Sequence, residues 1–166
     1  VARVLLIDES LSKHLATELI ARGLPAKDAG ALNVKGQNDQ VVLGRLAALT
    51  YSWVLVTGDD EMPHEHETLI RQIQATIATV DGQWERICLE KGLARTQEEF
   101  KRDTVHRWAH AMAEQAPGSI RRYSPVSHRE WIPRTRSLGA RKQPQLSSVA
   151  ATTTRLQLPA KLRNRW

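Results

Sequence analysis

Two short apolar runs, Val4–Ile7 and Trp53–Thr57, each give way to acids: Asp8-Glu9 after the first and Asp59-Asp60-Glu61 just beyond the second. The second, W-V-L-V-T, is a continuous β-rich run of the kind that is buried on both faces. Helical spacing separates the two. Leu11, Leu15, Leu19 and Ile20 fall on one side of a helix over 10–22, with Ser10 as its N-cap and Gly23 as the residue that ends it. A weak strand follows over 24–29, then a polar loop over 30–38. A second helix spans 39–49, with Val42, Leu43, Leu46 and Leu49 on one side. After the strand over 53–57 come a polar segment (58–66), a helix (67–74) and a further strand (75–80) closed by Asp81-Gly82. Strand and helix in alternation predict a parallel α/β sheet, whose ligands bind outside the carboxyl ends of the strands. The two acidic clusters therefore meet at one edge of the sheet.

Beyond Gly82 the pattern is helical over 83–91 and 97–114. Thr96 opens T-Q-E-E as an N-cap with acids in the first turn, and Pro117-Gly118 stops the helix. No strand is expected after Asp81. The charge divides at the same boundary. Residues 1–116 carry 13 basic and 17 acidic side chains, a net of −4. Residues 117–166 carry 11 basic side chains and a single acid, Glu130, a net of +10. Three segments are expected on this basis: an α/β core over 1–82, a helical extension over 83–116, and a basic, Arg-rich tail over 117–166. The tail suits a polyanion or an acidic protein face. Trp131, Ile132, Leu156, Leu158 and Trp166 are its candidate apolar anchors.

The chain is 41% hydrophobic and 25% charged, ordinary values for a globular protein. Its one cysteine, Cys88, excludes an internal disulfide framework and points to a reducing, cytoplasmic setting. No apolar run approaches the roughly 20 residues that span a bilayer, and the N-terminal run is too short for a signal peptide.

Clustered carboxylates repel one another unless they are protonated, paired with bases or neutralised by a cation. With no Cys or His beside Asp8 or Asp39, the acids suit a hard ion such as Mg²⁺ or Mn²⁺. Such an ion readies water for attack on a phosphodiester. The plainer reading is that Asp8 and Asp59 cap the helices that follow their strands.

V-L-L-I-D-E-S-L-S-K-H-L-A-T-E-L-I-A-R-G-L, then N-D-Q-V-V-L-G-R-L-A, then W-V-L-V-T-G-D-D resemble, in order and spacing, the short PIN-like domains, similar to the VapC-type toxins of bacterial toxin–antitoxin pairs. The resemblance covers roughly residues 3–80. It implies a three-layer α/β/α fold and a metal-dependent endoribonuclease. Asp8 matches the family's first-strand acid, Asp39 its helix acid and Asp59 the acid of its Thr-x-Asp motif. The fourth acid would be Glu61, or its neighbour Asp60, and Glu9 is a further candidate ligand. Thr57 would orient a carboxylate or a water, and Ser10 would donate to Asp8 or to a phosphate. Lys13, Arg45, Arg121 and Arg122 are candidate RNA-binding cations, with Arg129, Arg134 and Arg136 further along the tail. The resemblance also implies a small antitoxin partner, whose Arg competes for the carboxylates, and homodimerisation.

Other signals point elsewhere. His64-x-His66 and His106-x-x-x-His110 have spacings open to zinc, but no further ligand of fitting spacing is evident. Cys88 lies among apolar residues and reads as core. Trp131 reads as an anchor for the tail, or as a stacking platform for a base. V-L-L-I-D-E with V-L-V-T-G-D-D-E-M-P is also similar to a response-regulator receiver domain, with Asp59 as phospho-acceptor. Against that reading, neither the later strands nor the lysine that a receiver needs is found. A PIN-like protein that binds RNA without cleaving it is the third alternative.

Overall fold

The computed structural model describes residues 2–34, 36–81, 90, 92 and 96–134. Six strands, β1 (Val4–Ile7), β2 (Ala26–Asp28), β3 (Trp53–Thr57), β4 (Ile77–Val80), β5 (Ile120–Tyr123) and β6 (His128–Glu130), form one sheet in the order β2-β1-β3-β4-β5-β6. Every pairing is parallel except β5 with β6, which is antiparallel. The helices are α1 (Leu15–Ala21), α2 (Asp39–Ala47), α3 (Met62–Glu65), α4 (Glu67–Gln72) and α5 (Gln97–Ala113).

Side chains alternate across the sheet and divide the core in two. Leu5, Ile7, Val54, Val56, Ala78, Val80 and Tyr123 pack with Leu15 and Leu19 of α1 and with Val105, Ala109 and Met112 of α5. Leu6, Leu55, Ile77 and Ile120 face the other way, onto Val42, Leu43 and Leu46 of α2 and Ile70 of α4. The result is three layers, helix–sheet–helix. It explains why β1 and β3 read as unbroken apolar runs: both of their faces are covered. Gln115 ties the far side together. Its amide donates to the carbonyls of Ile77 and Ser119, both at 2.8 Å, and its carbonyl accepts from the Tyr123 hydroxyl at 3.1 Å.

Several sequence expectations are met. Trp53–Thr57 is a strand at the expected bounds. Gly23 has φ +82 and ends the first helix by donating to the Ile20 carbonyl at 2.9 Å. Thr96 and Glu99 form a reciprocal capping box at the start of α5. Others are corrected. Ser10 does not cap α1, which starts at Leu15 behind His14, a residue that makes no side-chain cap bond. The Ser10 hydroxyl serves the strand ends instead, donating to the Asp8 carboxylate and accepting from the Gly58 N–H. Two strands, β5 and β6, follow Asp81 where none was expected. Arg121 and Arg122 make I-R-R-Y look polar, yet both arginines are half-buried and partnered. The first compact unit runs over Val1–Trp131: the helix α5 packs on the core, and β5 and β6, which fall in the segment expected to be a tail, belong to the sheet. Trp131 is buried at 6% exposure in the core on the α2 side and lies 4.7 Å from the His64 ring, as an anchor would. A second unit, Ile132–Trp166, begins with an exposed Ile132. The expected helix over 83–91, Cys88, Arg136, Leu156, Leu158 and Trp166 lie outside the described residues. Among the described residues no helix is long and apolar enough to cross a membrane.

Candidate functional site

The parallel direction of the sheet sets where chemistry gathers. The path turns to opposite sides of β1: β2 lies on one flank and β3 on the other. In a sheet wound this way, a crevice opens beyond the carboxyl ends of the two central strands. Asp8 continues the ladder there, its N–H donating to the Val56 carbonyl at 2.9 Å. One Asp8 oxygen, Oδ2, accepts from the Ser10 hydroxyl at 2.6 Å and from the fully buried Thr57 hydroxyl at 2.9 Å. The backbone of the next two residues is fastened to the same hydroxyls: Gly58 N–H donates to Ser10 Oγ at 2.9 Å and Asp59 N–H to Thr57 Oγ1 at 3.1 Å. Asp59 Oδ1 then accepts from the N–H groups of Glu61 (2.9 Å) and Met62 (3.2 Å), which starts the α3 turn. Asp8, Ser10, Thr57 and Asp59 thus form one hydrogen-bonded unit.

Asp39 belongs to a second group. It opens α2, behind Asn38, whose side chain caps that helix. Its Oδ2 lies 3.3 Å from His66 Nε2. Asp39, Glu65 and His66 each offer a ligand atom, all within 4.8 Å of one another. Among the described residues this is the set of three that could hold a metal ion, and Asp8, Asp39 and Asp59 do not form such a set. The donors fit a divalent cation. Two carboxylates supply charge and hard oxygen, while the imidazole favours Mn²⁺, Fe²⁺ or Zn²⁺ over Mg²⁺. Chain direction puts this group on the same rim as Asp8, because α2 follows the end of β2 and α3 follows the end of β3.

The remaining candidates are distributed around that rim. Glu9 accepts from the Gly36 N–H at 2.9 Å and so fastens the loop ahead of α2. Asp60 is ion-paired with Arg122, whose Nε also lies 3.9 Å from the buried Asp81. Arg122 is therefore an internal counter-charge for two acids, and Arg121 contacts His128 Nδ1 at 3.0 Å. Both lie on β5, between β4 and β6, and are half-buried, whereas Lys13 and Arg45 are exposed. His106 does not pair with His110: it meets Glu18 at 2.6 Å and Arg22 at 2.8 Å.

Two contributors went unforeseen. Glu65 sits between His64 and His66, and the sequence marks only the histidines, by their zinc-like spacing and by their place beside the acidic cluster. Lys101 reaches the crevice from α5, its Nζ donating to the Gly58 carbonyl at 3.1 Å. The legible sign of Lys101 was its register: it precedes Val105, Trp108 and Met112 on the packed stripe of α5, an unusual place for a lysine.

Comparison with family models, curated proteins and solved structures finds no match to this chain. The class defined by the fold is a doubly wound, mostly parallel α/β sheet with an acidic rim.

Proposed function

We propose that the protein is a metal-dependent endoribonuclease of PIN-like type, acting at the rim where β1 and β3 end. The observation that carries this reading is the convergence of two groups on that rim. One is the Asp8–Ser10–Thr57–Asp59 unit, and the other is the Asp39–Glu65–His66 set. Asp39, Glu65 and His66 would hold the ion. When bound, it would activate a water and stabilise charge on a phosphodiester. Asp8, fixed by two hydroxyls, presents its second oxygen in a defined direction, as an acceptor for a proton or for a water. Thr57 holds Asp8 and Asp59 in register. Glu9, Asp60 and Glu61 are secondary contributors, with Asp60 already offset by Arg122. RNA is the substrate class, and a small antitoxin that blocks the rim is the partner this reading implies, with homodimerisation as a further association.

The test is cleavage of a labelled RNA with added Mn²⁺ by wild type, Asp8→Asn and His66→Ala. Asp8→Asn should lose cleavage by at least about a hundredfold, the scale on which positioned acid–base groups act, with an unchanged circular dichroism spectrum. His66→Ala should raise the Mn²⁺ concentration needed. Undiminished cleavage by Asp8→Asn refutes the assignment.

A receiver-like switch phosphorylated at Asp59 is the second reading. It gains from the strand order, which is shared with receiver-type sheets, and from an amine, Lys101, beside Gly58. Incubation with acetyl phosphate decides: a stable aspartyl phosphate on Asp59 favours the switch. RNA binding that persists with no cleavage under any metal favours the non-catalytic alternative.

A further inference from the structure

An open recess of about 310 Å³ adjoins the Asp8 unit, walled by Ser10, Leu11, Ser12, Gln97, Glu98 and Lys101. Ser10 belongs to both, because its hydroxyl holds Asp8. Lys101 is half-buried, and among the described residues its ammonium has one partner, the Gly58 carbonyl. Among the described residues no carboxylate pairs with it. A lysine held against the sheet by a single carbonyl keeps two N–H donors and a full charge for something else. The backbone is shaped to admit it: a Cβ at Gly58 would stand 2.9 Å from Lys101 Nζ and 3.1 Å from a Leu11 methyl. Ser12 adds a hydroxyl to the lining, while the Ser10 proton is already donated to Asp8. The recess is thus a polar cavity with one unpaired cation beside a carboxylate rim.

We propose that this recess is an anion subsite that seats one phosphodiester of the RNA strand, with Lys101 as its binding cation. The proposal rests on the nuclease reading for the identity of its ligand. A strand whose phosphate is fixed by Lys101 runs past Asp8, so Lys101 positions the substrate and takes no part in bond breaking. Glu98, exposed on the lip of the same recess, opposes the anion. Variants at the two positions therefore have opposite effects.

The experiment measures binding of a fluorescein-labelled single-stranded oligoribonucleotide to the full chain by anisotropy, in EDTA to prevent cleavage, across a series of KCl concentrations. Lys101→Met keeps the aliphatic stem and removes the charge. It should weaken binding and make the plot of log affinity against log salt shallower by about 0.7, the slope carried by one contact to a single strand. Lys101→Arg should restore the slope, and Glu98→Gln should tighten binding. A purely structural lysine would not move the salt slope. Wild-type affinity and slope in Lys101→Met overturn the subsite, as does the absence of RNA binding by the wild type. If Lys101→Met behaves as expected while the wild type does not cleave, or Asp8→Asn cleaves as well as it does, the assignment of nuclease chemistry to the Asp8 rim fails and the anion subsite stands. If Asp8→Asn is inactive and the slope is unchanged, the subsite alone fails.

Discussion

Tyr123 ends β5 with its ring fully buried and its hydroxyl bonded to Gln115. Burial pushes its phenol up to about 12 from an ordinary 10.0, against the smaller opposing pull of the Arg121 charge. A group whose pKa is raised by folding contributes stability that is complete below its unfolded value and is lost as pH climbs through the folded one. The fold should therefore lose stability between pH 10 and about 12 as the unfolded chain ionises first. Tyr123→Phe removes that alkaline loss, so urea midpoints measured across this interval should fall less steeply. At neutral pH the same variant should be less stable by about 1–3 kcal/mol, because the buried Gln115 oxygen loses its donor. An alkaline limb unchanged by the substitution would show that Tyr123 is not its source.

The contact between α1 and α5 rests on a charged cluster. Glu18 of α1 accepts from Arg102 Nη2 at 2.6 Å and meets His106 Nε2 at 2.6 Å, both on α5. The hydrogen bond from His106, with Arg102 adding to it, holds the Glu18 carboxyl below its ordinary 4.5 despite some opposing desolvation. A depressed pKa contributes stability that is present above the unfolded value and lost as pH falls through the folded one. Glu18→Gln should cost roughly 0.5–1 kcal/mol at neutral pH, the range for a partly exposed pair, and should flatten the stability loss below pH 4.5. Denaturant melts at several acidic pH values check both. The elements themselves were unequally legible in the sequence. β1, β3 and the start of α5 follow from local signals: an apolar run, or the Thr96–Glu99 box. β5 does not, because its place is set by distant pairing with β4 and one of its arginines, Arg122, is paired with Asp60, an acid far away in the chain. The same division holds at the rim. Asp8, Ser10, Thr57 and Asp59 lie within a few residues of strand ends, so topology alone brings them near. The meeting of Asp39 with His66, and of Lys101 with Gly58, depends on how helices settle on the sheet, which periodicity does not encode.

At the scale of the chain, charge and structure divide at different points. The sequence places its basic segment from residue 117, but the first compact unit extends to Trp131 and includes Arg121, Arg122 and Arg129. Two of these three are engaged within the sheet. Residues 132–166 then hold eight basic side chains and no acid, which leaves residues 1–131 with a net charge of −2. If RNA is the substrate, as proposed, a negative body with an acidic rim would repel it, and the positive segment would supply long-range attraction while Lys101 would supply a local contact. Truncation separates the two roles. A chain ending at Arg134 keeps β5, β6, Tyr123 and Trp131, and should retain a cooperative thermal transition. A chain ending at Pro117 loses the strand that pairs with β4, the partner of Gln115 and the Trp131 anchor, and should not fold. In the anisotropy assay the chain ending at Arg134 should bind RNA more weakly than full length. Its salt slope should fall by several times the change expected for Lys101→Met, since more than one phosphate contact is removed. An unchanged slope in that truncation would mean that residues 135–166 make no phosphate contacts, and the attraction would then have to come from Lys13, Arg45 and Lys101 on the body itself.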